Sequence, residues 1–391
     1  MEDLHGDMAK YRTFMKITLS WYGDDSWGES IFGRTLAFYF KIRWLSNTAI
    51  FCTVTVNLYF QEKMGLYEGT FVHWPLSILL CFMTIFARFS GSKQRILTLA
   101  LNENFLKHDD PWMIEIKNGY IPKLWQLMNF FLRYNQCFYV LYAIVPPAVE
   151  MVLHYGFDSI DGYVTLPLPL SPLLGRNATW ETKYQIVSAL NVWAGYEIVF
   201  TTLGFIGGYA LLTVFYLTEI IIFKEKIKSV DLERSYDDIK VEMRHVIASH
   251  NNIIKLNQDL KAFYGLPCAF LDIFSSVTIT LTLFTVTTSN DIPIVIAYGA
   301  AMFYFFTIAI LACSLGQLIE RESEEVFEAF YELPWYECSP QVRKDLNMVM
   351  RQARSTLSVD YRGMCPMNLV NLMQILKSSY SYFTLLQTMA N

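Results

Sequence analysis

Charge is scarce in this chain of 391 residues: only 17% are Asp, Glu, Lys or Arg, against 53% hydrophobic and 16% aromatic residues. An ordinary soluble domain carries about a quarter charged residues, so the composition excludes that class, and the mean hydropathy of +0.27 agrees. The net charge of −5 lacks the basic excess that a nucleic-acid partner needs, and none is expected. Catalytic motifs are missing too: there is no P-loop, no HExxH and no GxSxG. His5, His73, His108, His154, His245 and His250 do not pair at metal-ligand spacing, and no CxxC occurs. The expectation is therefore a chain that is not an enzyme, with no catalytic residue, metal or cofactor. Cys52, Cys81, Cys137, Cys268 and Cys313 lie in apolar stretches, and Cys338 and Cys365 lie near Lys and Arg, which argues against a disulfide framework. Residues 1–41 mix acids and bases without a short apolar core and a small-residue cleavage site, so no cleavable signal peptide is expected.

What the chain has is long apolar runs. Residues 42–60, 71–89, 130–153, 186–223, 263–288, 292–318 and 367–391 are each long enough to cross a bilayer, at about 20 residues per span. The fourth is too long for one crossing and must project from the membrane at about 1.5 Å per residue. Basic residues set the orientation. They crowd residues 1–43, the segment after the second run, residues 224–261 and the segment after the sixth, whereas the alternate loops hold only Lys63, Arg176 and Lys183. The reading is an all-α membrane protein with seven transmembrane helices, a cytoplasmic N-terminus and an extracellular C-terminus. Asn177-Ala178-Thr179, a glycosylation sequon, falls in the loop read as outside. That loop also holds Pro167, Pro169 and Pro172, which forbid a helix there; it is a lid or a plain linker. Gly204 and Gly208 form a GxxxG, which close helix packing explains.

Residues 224–260 are charged and helical in pattern, Glu320, Glu322, Glu324, Glu325 and Glu328 form an acidic run, and residues 341–355 form a short helix. Together they suggest a cytoplasmic helical anchor layer. The division is then 1–41 cytoplasmic, 42–223 the first four spans with an outer ligand-binding region, 224–366 the cytoplasmic extensions with spans five and six and the anchor helix, and 367–391 the last helix. Charges inside the spans are Glu197, Arg133 and Asp272. Arg133 and Asp272 read best as interfacial or mutually paired, while Glu197 either lines a cavity or pairs within the bundle.

Wrapped at about 100° per residue, the last run shows a polar stripe of Asn371, Gln374, Ser378 and Ser381, with Asn368 and Thr388 at its edges. Leu369, Leu372, Met373, Leu376, Tyr380 and Phe383 lie opposite, and Leu385 and Met389 continue the stripe as an apolar ring. A polar wall followed by an apolar ring suits a pore with a dewetting gate; packing of small polar residues against neighbouring helices is the other reading. Tyr380-Ser381-Tyr382-Phe383-Thr384-Leu385-Leu386, preceded by Ile375-Leu376-Lys377-Ser378-Ser379, resembles the C-terminal signature of insect odorant receptors, as does Leu333-Pro334-Trp335-Tyr336. Ser381-Tyr382 with Gln387 is also similar to the ending of the gustatory receptors, but Ser381 and Thr388 depart from that pattern. The resemblance covers residues 320–391 specifically.

That resemblance implies an odorant-gated, non-selective cation channel subunit and an anchor layer holding four subunits around a pore. The short loop between spans four and five is that of a ligand-tuning subunit, which works with a shared co-receptor in a heterotetramer in the plasma membrane of a sensory dendrite. The ligand would be a small volatile bound in the outer half of the bundle, among Phe71, Trp74, Ile78, Tyr142, Ala143, Pro146, Trp193, Glu197, Thr201, Tyr298 and Met302. For the aromatics in that set, an interfacial belt is the other explanation. Ser378, Ser381, Leu385, Thr388 and Met389 would line the pore and its gate, with Gln387 packed between helices. A metabotropic receptor coupled to G proteins is the rival, and the basic-residue asymmetry opposes its orientation. A transporter would show internal repeats, and none is evident.

An N-terminal epitope tag should stain only after permeabilisation, and a tag beside Asn177 should stain intact cells. An N-terminal tag reachable in intact cells contradicts the topology.

Overall fold

The computed structural model describes residues 10, 13–15, 31–64, 70–106, 110–145, 148, 182–232, 236–289 and 292–390. Asn177, Pro146 and the proline-rich loop lie outside them. Apart from an isolated bridge between Tyr361 and Met364, the ordered elements among the described residues are helices. They are α1 Ile31–Met64, α2 Thr70–Phe89, α3 Gly91–Leu106 and α4 Pro111–Tyr139, which runs into a π turn at Val140–Ile144. Then follow α5 Thr182–Lys228, α6 Tyr236–Thr288, α7 Ile292–Glu332, α8 Pro340–Ala353 and α9 Leu369–Ala390.

Every expected apolar run lies on a helix, except that the end of the third and residue 391 pass the described residues and Met367 and Asn368 precede α9. Several helices start earlier or run longer than hydropathy alone suggests. The third run was expected at 130–153, but α4 begins at Pro111, whose fixed φ suits a first helical turn. α5 has 47 residues, roughly 70 Å at 1.5 Å per residue, and so outreaches a bilayer core of about 30 Å. α3 was not anticipated. Its scattered Lys93 and Arg95 read as a basic loop, yet Gln94, Leu97, Thr98 and Leu101 recur at helical spacing and are buried. It meets α2 at a bend of 66°, where the Ser90 carbonyl accepts from the N–H groups of Lys93 and Gln94.

By length and composition, Val192–Lys228, Asp238–Thr288 and Tyr298–Glu332 hold stretches able to cross a membrane, and α2 with α3 adds a fourth if that bent pair is one span. α1, α4 and α9 are more polar. α5 is the axis of the bundle: Leu203, Ile206, Tyr209, Leu212, Phe215, Ile220 and Ile227 are buried on all sides, against α4, α6 and α7.

At the end carrying Lys224 the long helices converge on α8, which buries Val342, Leu346, Val349, Met350 and Ala353 on one stripe. Lys224 reaches Glu322 at 2.7 Å and Glu325 at 2.5 Å, and Arg321 reaches Glu325 at 3.0 Å. Asn368 donates to Glu320 at 3.1 Å. The acidic run is therefore not the open band that its sequence suggests: Glu320, Glu322 and Glu325 have partners within the chain, and Glu324 and Glu328 are the exposed members.

The segment from α8 to α9 is held as tightly as a helix. Arg362, Gly363 and Cys365 take positive φ values of 54°, 78° and 49°, and the backbones of Tyr361 and Met364 exchange N–H···O bonds of 3.1 and 2.9 Å. Asp360 accepts from the Gly363 N–H at 2.6 Å and from Ser358 Oγ at 2.7 Å, and pairs with Lys261 at 2.6 Å. Burial pushes the Asp360 carboxyl up, but the bonds from Lys261, Ser358 and Gly363 outweigh it and hold the group below the usual carboxylate range. Two glycines let this segment approach. A Cβ at Gly265 would lie 2.5 Å from the Asp360 carbonyl oxygen, and one at Gly316 would run into the Met367 carbonyl oxygen.

Gly316→Ala should accordingly lower the melting temperature and surface expression, at a cost of about 1–3 kcal/mol for forced displacement. Gly299→Ala, with nothing within 4 Å of the new Cβ, should be neutral or stabilising. Equal melting of both variants and the parent contradicts the close approach.

Candidate functional site

Arg43 lies in the first half of α1 and Glu197 in the first half of α5. Both are buried, at 1% and 0% exposure, and Arg43 Nε meets Glu197 Oε2 at 2.7 Å. Arg43 Nη2 also donates to Thr201 Oγ1 at 2.6 Å, and the Tyr39 hydroxyl donates to Glu197 Oε1. Tyr39, Arg43, Glu197 and Thr201 stand at i, i+4 spacing on their two helices, so one face of each carries the network. Of the two readings of Glu197, pairing within the bundle is the one observed.

A second polar node joins α2, the π turn and α7. His73, buried in the first turn of α2, lies between two tyrosines: Tyr298 Oη is 2.9 Å from Nε2 and Tyr142 Oη is 3.1 Å from Nδ1. A neutral imidazole donates from one nitrogen and accepts at the other, so one tyrosine donates to His73 and the other accepts from it. Below it Phe138 stacks on Tyr142 and, at 4.1 Å, on Tyr304. The Tyr304 hydroxyl donates to Asn135 Oδ1 at 2.6 Å.

Inward of these nodes a cavity opens between α2, α5, α6 and α7. Its walls are Leu76, Leu79, Leu80, Met83, Ile198, Thr201, Thr202, Phe205, Ile206, Leu271 and Phe305. About 330 Å³ of space, open solvent included, lies among its atoms, divided so narrowly that a guest larger than roughly one water enters only if side chains move. The geometry offers no nucleophile–base pair, and no cluster of metal ligands occurs among the described residues. What it can do is hold a small, mostly apolar guest.

The residues expected around a ligand are distributed over this region. Tyr142 and Tyr298 flank His73, and Glu197 and Thr201 hold Arg43. Ala143 packs on Gly195, where a Cβ would come within 2.8 Å. Trp193 lies edge-on to Tyr39 at 5.7 Å. Trp74 is exposed and donates to Thr55 Oγ1 at 3.3 Å. Ile78 and Met302 are half-buried. Pro146 and the side chain of Phe71 lie outside the described residues. Thr201 alone of the set lines the cavity. Sequence reasoning missed Arg43, counted only as a flanking positive charge, and His73, set aside for want of a metal-binding partner. The signal for Arg43 was present: a cation inside an apolar run needs a buried anion.

On α9, Ser378, Ser381, Leu385, Thr388 and Met389 are exposed, while Leu372, Ile375 and Ser379 pack inward. Ser379 is fixed to α6 through Ser276 Oγ at 3.2 Å and through Thr280, which donates to its carbonyl at 3.1 Å. Asn371 departs from the expected polar stripe: it is buried and donates to Asp272 Oδ2 at 2.5 Å. Asp272 thus pairs with Asn371, not with Arg133, which is exposed. Leu369, Met373, Tyr380 and Gln387, expected to pack, are exposed as well, because the rest of the chain covers only a narrow strip of this helix.

A family model described as 7tm odorant receptor matches residues 69–380. Odorant receptor Or2 of Anopheles gambiae is 23% identical over 216 residues, 53% of this chain and 57% of that protein. Odorant receptor 67c of Drosophila melanogaster is 24% identical over 37% of this chain and 35% of its own length. An odorant receptor coreceptor of Ooceraea biroi is 23% identical over 38% of this chain and 31% of its own. The matches thus span from about a third to just over half of these relatives. The solved insect olfactory receptor OR5 of Machilis hrabei, in complex with eugenol, superposes with a TM-score of 0.81 over 99% of this chain and 98% of that one, at 13% identity. At that identity the likeness speaks for the fold alone.

Arg43→Met should destabilise the protein by about 3–5 kcal/mol, because it leaves Glu197 buried without its counter-charge. Arg43→Met combined with Glu197→Leu should recover most of the loss. Melting in detergent, followed by fluorescence-detected size exclusion, checks this; a single variant that melts like the parent contradicts it.

Proposed function

Because the chain belongs to the 7tm odorant receptor family of insects, we propose that it is an odorant-gated, non-selective cation channel subunit that works with a shared co-receptor. The family is one of multi-pass membrane receptors, not of enzymes. The observation that carries the reading is α9: its stripe of Ser378, Ser381, Leu385, Thr388 and Met389 is exposed in the single chain. Thr388 bonds back to the Leu385 carbonyl, but lipid offers Ser378 and Ser381 no hydrogen-bond partner, and water or other subunits meet that need. Four such helices around an axis make a water-filled pore, and Leu385 and Met389 meet there as an apolar ring.

In this reading the chain crosses the membrane seven times with its N-terminus in the cytoplasm, Asn177 is extracellular and glycosylated, and the α8 layer holds the subunits of a heterotetramer. It resides in the plasma membrane of a sensory dendrite. A neutral volatile enters the outer half of the bundle, near the Arg43–Glu197 and His73 nodes, and binds the open arrangement better than the closed one, which is the only way a ligand shifts that equilibrium. Phe71, Trp74, Ile78, Tyr142, Ala143, Pro146, Trp193, Tyr298 and Met302 surround its route, and Thr201 meets it. Carboxylates are excluded. The buried arginine is already neutralised by Glu197, so an anion in the apolar cavity has no counter-charge.

Leu385→Ser should wet the closed gate and give leak current without odorant, or a changed ion preference, in cells that also express the co-receptor. Leu385→Ser and Leu385→Ala channels that reach the surface and match the parent in leak and selectivity contradict the pore assignment.

A further inference from the structure

Two polar side chains line the cavity, Thr201 and Thr202, and their hydrogen bonds differ in a way that selects a guest. Thr202 gives its proton to the Ile198 carbonyl at 2.7 Å, the usual back-bond of a helical threonine. Its oxygen is left as an acceptor only. Thr201 makes no such back-bond. Its oxygen accepts from Arg43 Nη2 at 2.6 Å, and among the described residues its own proton has no acceptor. A hydroxyl proton rotates to suit its surroundings, and this side chain, 5% exposed, lies on the cavity wall. The donor bonded to it is a guanidinium, which polarises the hydroxyl and strengthens the bond it can give. The positive charge is cancelled one turn away by Glu197, so the field favours no anion.

We infer that Thr201, held by Arg43, is the specificity-determining hydrogen-bond donor of the cavity, and that its guest is a neutral molecule with an accepting oxygen: a ketone, aldehyde or ester. An apolar molecule of the same shape leaves the Thr201 proton unanswered in a dry site, a loss that hydrophobic walls do not make good. This rests on the reading of the cavity as the odorant site, and it adds which residue reads the guest and through which atom.

Acetophenone and α-methylstyrene test it, because they differ in shape little more than by C=O against C=CH2. Dose–response currents are measured in cells expressing the co-receptor with the parent chain, Thr201→Val or Thr201→Ser. The parent should prefer acetophenone. Thr201→Val, which keeps the volume and removes the donor, should weaken acetophenone by roughly 3- to 10-fold, the worth of one hydrogen bond, and leave α-methylstyrene unchanged. Thr201→Ser should restore the preference. The shift in melting temperature of the same three purified proteins with each probe reads the cavity independently of any current. Probe-selective melting shifts without odorant current therefore fault the channel reading and support this inference. Equal effects of the two probes on the parent in melting, or a Thr201→Val change that moves both probes alike or neither, overturn it.

Discussion

Lipid cannot answer a polar group, so a polar side chain inside the bundle bonds back to its own helix, as Thr84, Thr98 and Thr202 do, or needs a partner on another helix. Arg43 with Glu197 and Thr201 ties α1 to α5. His73 with Tyr142 and Tyr298 ties α2 to the π turn that follows α4 and to α7. Asn135 with Tyr304 repeats the link between α4 and α7, and Asp272 with Asn371 and Ser276 with Ser379 tie α6 to α9. Apolar packing tolerates sliding by a methyl group; these pairs do not, because a displaced partner strands its mate. They fix how the helices stand against one another, and so where the apolar cavity between them falls.

The other end of the molecule converts that rigidity into position. α9 is joined to the bundle by the segment that Asp360 folds and that Gly265 and Gly316 admit against α6 and α7. Lys224 meanwhile gathers the acidic end of α7 onto α5. In the proposed channel reading, these contacts are the route by which a rearrangement of α6 or α7 around a guest reaches the start of the last helix. Along α9 itself Asn371, Leu372, Ile375 and Ser379 pack against the bundle, and most of the helix beyond them is exposed in the single chain.

The helical bundle was readable from hydropathy, and the last helix from its stripe, because long apolar runs need no partner to declare themselves. α3 was not readable. Its buried glutamine, threonine and asparagine look like loop residues until α6 is there to cover them. The polar nodes were half-readable: Glu197 stood out as an anion in an apolar run, while Arg43 was masked by the basic residues that flank it in the sequence. Asn371 looked like part of the exposed stripe because its mate, Asp272, lies 99 residues away. The cavity walls were invisible for a plainer reason: Leu79, Met83 and Phe305 resemble every other core residue, and only the three-dimensional arrangement shows that they leave space between them.

The central claim is that the protein which binds the odorant is also the conductor. Excised inside-out patches from cells expressing this chain with the co-receptor, bathed in nucleotide-free solution, test it most directly. Acetophenone or another neutral volatile should open a non-selective cation conductance within milliseconds and reversibly, with no GTP or ATP present. An odorant response that disappears on excision and returns only when GTP is supplied would contradict the account.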